Sequence, residues 1–264
     1  MNKKTDLSVI AAPVRAEIMR RIRAAEQEHG IRVLYAVESG SRAWGFASPN
    51  SDYDVRFVYA REPQWYMRID VEEQRDVIEY PIVDEIDING WDIRKALKLF
   101  RKSNPAIVEW LKSPLVYLEE GCFARQLSAL LSDWYAIDKG QYHYLHMAKG
   151  NYRGYLKKDV VPLKKYFYVL RPLLAIQWLD KYREAAPIEF SRLIELIDDQ
   201  SVLEEVTQLL AKKKRSQEKD YIHQVQPLNR YIEKLLADAE TSIGRQEKRA
   251  GNVDELNRIF TQVV

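Results

Sequence analysis

Apolar residues recur at steps of four through the first segment, at Ile10, Val14, Ile18 and Ile22. Residues 7–27 are otherwise rich in helix formers, so the spacing predicts an amphipathic helix that His29-Gly30 ends. A different rhythm follows. Ile31 to Val37 (IRVLYAV) is β-branched and aromatic, the signature of a buried strand. Asp54 to Tyr59 (DVRFVY) alternates, which places Val55, Phe57 and Tyr59 on one face and Asp52, Asp54 and Arg56 on the other. Between the two strands, residues 40–50 hold two glycines and Ser48-Pro49-Asn50, and predict a turn with room for one helical turn.

Residues 61–80 show no clear period. Ile82 to Asp92 (IVDEIDINGWD) predicts a third strand with Asp87 near its middle and Gly90 as a bulge or turn. Ile93 to Arg101 has a helical pattern, and Asn104-Pro105 breaks it and restarts a helix through Trp110. From Cys122 onward the pattern is helical: 123–135, 141–156, 163–182, 188–198, 202–210 and 225–245. Pro172 is expected to kink or end its helix, and Lys212–Arg215 (KKKR) reads as a solvated run between helices. The fold class is therefore α+β. A mixed sheet flanked by helices occupies residues 1–117 and an all-helical domain residues 118–264. No internal repeat or low-complexity linker is visible.

Composition narrows the class. The chain has 264 residues, 46% apolar and 30% charged, as an ordinary soluble protein does. No stretch has the length and apolarity of a membrane span. The N-terminus starts basic, but Asp6, Pro13 and Arg15 break its apolar run too early for a secretory signal. The single cysteine, Cys122, excludes an intrachain disulfide and a multi-cysteine zinc site, and is expected to be a small buried apolar residue. These features predict a cytoplasmic location with no membrane partner. Net charge is only +2, but residues 139–172 hold eight lysines and arginines against the single acid Asp159. Such a local excess predicts a polyanionic partner.

The densest chemistry lies in Glu38 to Arg56, ESGSRAWGFASPNSDYDVR. Residues two apart on a strand project to the same side, so Asp52 and Asp54 aim two carboxylates at one point. They repel unless protonation, a basic partner or a divalent cation neutralises them. Hard oxygen donors on a rigid strand suit Mg²⁺, which takes one or two carboxylates together with substrate phosphates. Gly40 lets backbone amides approach a phosphate, and Ser41 adds a hydroxyl. An isolated Asp-x-Asp is ordinarily a solvated turn. Here the preceding strand, the Gly-Ser turn and the following strand together describe a site for a metal-bound triphosphate. Ser41 lacks the G-x-S-x-G order of a hydrolase nucleophile.

GSRAWG…SDYDVR resembles the Gly-Ser…Asp-x-Asp signature of the DNA polymerase β-like nucleotidyltransferase superfamily. GWDIRKALKLFRKSNPAIVEWLKSP (residues 90–114) and HYLHMAKGNYRGYL…LKKYFYVLRPLLA (residues 143–175) are similar to its RNA-repair-associated, RlaP-like branch. The resemblance covers most of residues 36–178 and does not extend past residue 200. It implies transfer of a nucleoside monophosphate from an NTP to an acceptor hydroxyl, with release of pyrophosphate. It also implies three carboxylates and two Mg²⁺ ions, with Mn²⁺ as a substitute. Carried over, Asp52 and Asp54 are metal ligands, and Gly40 and Ser41, with Arg42 beside them, are nucleotide-binding. The third carboxylate comes from Asp84, Glu85, Asp87 or Asp92. The resemblance favours Asp87, and Asp92 reads better as the cap of the helix from Ile93.

Residues 142–175 interleave bases and aromatics. Lys164, Tyr168 and Arg171 share one helix face, and Lys149 and Arg153 share another. Phe167 and most of the tyrosines read as core. Lys149, Arg153, Lys164, Lys165 and Tyr168 are the nucleotide-binding candidates of this segment. His143 and His146, three apart, have no visible third ligand and read as structural or as nucleotide contacts. The acceptor suggested by the family association is an RNA end. The alternatives are AMP transfer to a protein or small hydroxyl compound, and a catalytically inert nucleotide- or RNA-binding module. Neither the preferred NTP nor the oligomeric state is legible.

Overall fold

The structure, a computed structural model, describes residues 7–217, 220–243 and 251–264. The N-terminal charges at residues 1–6 and residues 244–245 of the helix expected over 225–245 lie outside the described residues; the helix itself ends at Ser242. In chain order, α1 (Ala12–His29) leads to β1 (Arg32–Glu38), α2 (Gly40–Ala43), β2 (Tyr53–Ala60), α3 (Pro63–Tyr66), β3 (Val77–Glu79) and β4 (Ile86–Asp92). Then follow α4 (Ile93–Arg101), α5 (Pro105–Leu111), β5 (Val116–Glu119), α6 (Phe123–Ala129), α7 (Leu131–Trp134) and α8 (Ile137–Tyr155). The remainder comprises β6 (Val160–Pro162), α9 (Leu163–Tyr182), α10 (Phe190–Leu193), α11 (Gln200–Arg215), β7 (Tyr221–His223), α12 (Gln226–Ser242) and α13 (Val253–Val263). No helix among the described residues is long and apolar enough to cross a membrane.

The chain divides into two compact units. The first comprises residues 7–43, 52–134 and 251–264. Its sheet has the order β3-β4-β2-β1-β5. β2 is antiparallel to β1 and parallel to β4. Ile18, Ile22 and Ala25 of α1 are buried with Val55, Phe57, Tyr59, Ile86 and Ile88 on one face of the sheet. Apolar residues at alternate strand positions leave Asp54, Arg56, Asp87 and Asn89 on the opposite face. Gly30, at φ 59°, caps α1 as expected.

Three local expectations change in this unit. Gly90 is neither bulge nor turn: it lies inside β4 in register with Phe57. A Cβ on it would fall 2.2 Å from the Phe57 ring, so the ring needs the space that glycine leaves. The expected third strand is interrupted at Asp84-Glu85. These residues, at φ 53° and 60°, form a two-residue turn closed by a Val83–Ile86 bridge. Cys122 is exposed, because it precedes α6 and lies off the face that buries Phe123, Ala124 and Leu127.

The second unit comprises residues 44–51, 135–217 and 220–243. α8 and α9 pack together, and α9 buries residues on all sides. α9 continues through Pro172 to Tyr182, so the proline does not end it. The unit is not purely helical, since β6 and β7 form a small antiparallel ribbon. The sequence placed a boundary near residue 118, which falls inside β5, a strand paired with β1. The compact units separate instead at 134/135, with residues 44–51 belonging to the helical unit. Lys213 departs from the solvated KKKR run. It is 1% exposed, and its Nζ donates to Ser48 Oγ at 2.6 Å while the Ser48 hydroxyl donates back to its carbonyl at 3.0 Å.

Candidate active site

The parallel pairing of β2 with β4 puts Asp54 directly beside Asp87, with Val55 beside Ile88 and Arg56 beside Asn89. Both carboxylates are half-buried on the face away from α1. The Arg56 guanidinium donates to Asp87 Oδ2 at 2.7 Å and lies 3.3 Å from Asp54 Oδ1. It also donates to the carbonyls of Val55 and Asp87, each at 2.9 Å. Asn89 Nδ2 donates to Asp87 Oδ1 at 2.6 Å. Each carboxylate thus has a fixed place, and the charge between them is neutralised by a guanidinium.

The turn after β1 is shaped around Asp54. Gly40 has φ 58°, and a Cβ there would lie 1.9 Å from Asp54 Oδ2. Glycine is therefore favoured by the left-handed backbone and required by the carboxylate above it. Ser41 is buried and Arg42 half-buried in α2. The Arg42 guanidinium sits 3.8 Å over the Tyr53 ring. Ser39 N–H donates to the Asp54 carbonyl at 2.8 Å.

Asp52 precedes β2 by one residue and is exposed, so it lies outside the β2–β4 register that sets Asp54 beside Asp87. Among the described residues, no group of three or more His, Cys, Asp or Glu is arranged to hold a metal ion. The donor chemistry nevertheless fits a hard divalent cation. Two oxygen-donor side chains share a face on adjacent strands, and a cationic group already lies between them.

Asp84 and Glu85 serve the turn before β4. Arg21 donates to Asp84 Oδ2 at 2.8 Å and to the Val83 carbonyl at 2.9 Å, and the Glu85 carbonyl accepts from Tyr53 N–H at 2.7 Å, fixing the start of β2. Asp92 caps α4, its Oδ1 accepting from Arg94 N–H at 2.8 Å and its Oδ2 from the Tyr66 hydroxyl at 2.9 Å. Burial pushes the Asp92 carboxyl above the usual range against the pull of these bonds.

Glu38 was not a sequence candidate. It is the last residue of β1, fully buried, and its Oε1 accepts from Asp54 N–H at 3.0 Å. Its Oε2 accepts from the Tyr117 hydroxyl. Burial pushes its carboxyl up to about 7, although both bonds favour the charged form. The available signal was an acid ending an apolar run immediately before Gly-Ser.

In the helical unit, Lys164, Lys165 and Tyr168 are half-buried on α9. Lys165 Nζ is 3.1 Å from Asn151 Oδ1 and lies over the rings of Tyr155 (3.9 Å) and Tyr168 (4.8 Å). On α8, Lys149 pairs with Glu240 at 2.6 Å and Arg153 is exposed. Arg171 does not share the surface of Lys164. It is 2% exposed, stacked 4.3 Å from the Trp44 ring. Tyr144, Tyr152, Tyr166 and Phe167 are core, as the pattern predicts. His143 and His146 are exposed, and His146 stacks on Tyr142 with ring centroids 4.2 Å apart.

Comparison with known proteins shows the family to which this chain belongs. The profile of the RNA repair pathway DNA polymerase beta family, RlaP, matches residues 14–262. The chain belongs to the RlaP family. It is 41% identical over 255 residues to the uncharacterized protein YcgL of Bacillus subtilis (strain 168), covering 95% of this chain and 96% of YcgL. A solved nucleotidyltransferase-like protein from Exiguobacterium sibiricum 255-15 aligns at 12% identity with a TM-score of 0.31, over 93% of this chain and 79% of that one. RlaP membership makes the chain a polymerase β-like nucleotidyltransferase in family terms.

Proposed function

We propose that this RlaP-family chain moves a nucleoside monophosphate from an NTP to an acceptor hydroxyl and releases pyrophosphate. The observation that carries the reading is the register of Asp54 with Asp87, with Gly40 placed under the Asp54 carboxylate. We assign Asp52, Asp54 and Asp87 as the residues that would hold two Mg²⁺ ions, with Mn²⁺ able to substitute. Bound there, the metal would stabilise charge on the transferring phosphoryl group and make the acceptor hydroxyl more acidic.

The acceptor oxygen bonds to the α-phosphorus as the bond from that phosphorus to the pyrophosphate oxygen breaks. Asp87 orients the hydroxyl and takes its proton. Gly40 and Ser41 cradle the β- and γ-phosphates, and Arg42 adds a cation beside them. Lys149, Arg153, Lys164, Lys165 and Tyr168 are assigned to nucleotide binding in the helical unit. Their mixture of cations and an aromatic ring supports that role. An RNA end is the proposed acceptor, on the strength of the family's description as an RNA repair pathway family.

The test is incubation with each α-³²P-labelled NTP, Mg²⁺ and cellular RNA, beside an Asp52→Ala/Asp54→Ala control. Label on RNA that requires the carboxylates supports the proposal. Label on protein or on a small hydroxyl compound would replace the acceptor, and no transfer to any of the three would overturn the enzymatic reading.

A further inference from the structure

Two carboxylates bind a cation more tightly when their positions are fixed in advance, and Asp54 lies just beyond the end of the β1–β2 ladder. The β1–β2 pairing ends with Glu38 opposite Val55, one position short of Asp54. Beyond Glu38 the chain turns into the left-handed conformation of Gly40. The Asp54 N–H is instead satisfied by a side chain, the Glu38 carboxylate, at 3.0 Å.

We propose that Glu38 is a positioning residue that sets Asp54 for cation binding, with Tyr117 holding Glu38 in turn. The proposal rests on the metal-binding role given to Asp54 above. Glu38 is 0% exposed, so it does not reach solvent. Its main chain is anchored at both ends of the residue. Its N–H donates to the Leu115 carbonyl at 2.9 Å, and its carbonyl accepts from Ser113 Oγ at 2.6 Å. One carboxylate oxygen is committed to Tyr117 and the other to Asp54.

Asp54 is therefore fixed from one side by the short segment Glu38–Gly40. The Glu38 side chain takes its N–H, Ser39 N–H takes its carbonyl, and Gly40 leaves room for its carboxylate. A residue that neither binds the cation nor touches the nucleotide would thus control where a ligand oxygen stands. The requirement is for an acceptor of this length at position 38, not for its charge. Glutamine satisfies it, since its amide oxygen can accept from Asp54 N–H.

The experiment is Mn²⁺ titration of the full chain by electron paramagnetic resonance, with amide exchange at Asp54 followed by NMR. The samples are the unmodified protein, Glu38→Gln, Glu38→Ala, Tyr117→Phe and Asp54→Asn. Loss of the buried support should weaken Mn²⁺ binding about tenfold or more in Glu38→Ala. Its Asp54 amide should exchange faster, and Glu38→Gln should restore both. Tyr117→Phe, which keeps the ring and removes one hydroxyl, should weaken binding by a smaller factor, and it decides the question if Glu38→Ala does not fold. Folded Glu38→Ala or Tyr117→Phe with unmodified Mn²⁺ affinity would overturn the positioning role. An unmodified protein that binds Mn²⁺ no better than Asp54→Asn would instead overturn the metal role of Asp54, and the inference with it.

Discussion

Arg56 Nη2 lies 2.7 Å from Asp87 Oδ2 and 3.3 Å from Asp54 Oδ1, so one guanidinium neutralises both register-paired aspartates. The three side chains are each less than a third exposed, which limits screening by solvent. Replacing Arg56 with glutamine leaves two like charges side by side. Without added cation the variant should lose about 1–3 kcal/mol of stability, the cost of removing one partner of a part-buried charged hydrogen bond. Mn²⁺ should then raise its Tm by more than it raises that of the unmodified protein, because the cation takes over the charge Arg56 supplied. Thermal melts with EDTA and with Mn²⁺ measure both effects. Equal Mn²⁺-induced shifts in the two proteins would show that Arg56 and the cation do not compete for one place.

Gly40 and Gly30 separate backbone strain from active-site crowding. Their φ angles are 58° and 59°, so alanine meets a similar left-handed penalty at both. At Gly30 a new Cβ meets nothing within 4 Å, whereas at Gly40 it would lie 1.9 Å from Asp54 Oδ2. Gly30→Ala should lower stability by about 1 kcal/mol and leave transfer intact. Gly40→Ala should displace the Asp54 carboxylate by an ångström or so and cut transfer by about 100-fold. Parallel urea melts and initial rates make the comparison. Two variants with the same loss of rate would remove Gly40 from the site.

These relationships differ in how visible they are in sequence. Strand alternation alone puts Asp54 opposite the buried Val55 and Phe57, and Ile86 and Ile88 frame Asp87 in the same way. The pairing of Asp54 with Asp87 also needs the parallel orientation and register of β2 on β4, which alternation within each strand does not set. Glu38 escapes such reasoning because its partner Tyr117 lies 79 residues away. Lys213 escapes it because Ser48 is 165 residues away, and four consecutive bases look solvated until one of them is buried. Gly90 read as a bulge because nothing local shows that the Phe57 ring covers it. β5, β6 and β7 have three or four residues each, too few to show a period of two.

The buried Glu38 carboxyl predicts a pH dependence of stability. Its value in the folded protein is about 7, against 4.5 for the ordinary side chain, so the folded state binds the extra proton between those values. The stabilisation is complete below pH 4.5 and is lost as pH rises through 7. A shift of this size corresponds to about 3 kcal/mol across that window, to order of magnitude. Glu38→Gln, which does not titrate, should remove this component. The stability difference between the variant and the unmodified protein should therefore grow in favour of glutamine from pH 5 to pH 8. Urea unfolding at unit steps of pH measures it, and a difference that stays constant across the series would contradict the assignment.

Asp87 and Asp92 both lie on β4, yet they have opposite surroundings, and these support the proposed choice of Asp87 as the third carboxylate. Asp87 is half-buried beside Asp54 and held by Arg56 and Asn89. Asp92 is 5% exposed and spends its two oxygens on Arg94 N–H and the Tyr66 hydroxyl, which caps α4. Asp92→Ala should therefore cost about 1–2 kcal/mol in unfolding free energy, the usual penalty for a lost N-cap, with the transfer rate per folded molecule unchanged. Asp87→Asn should instead remove transfer, because a charged ligand and proton acceptor is lost. It should also cost about 1–3 kcal/mol of stability, since its NH₂ faces a donor from Arg56 or Asn89, yet leave a folded protein. Rates normalised to folded protein, measured beside urea melts of both variants, give the answer. If Asp92→Ala abolished transfer while remaining folded and Asp87→Asn did not, the third carboxylate would be the capping residue, and the register of Asp54 with Asp87 would have no catalytic meaning.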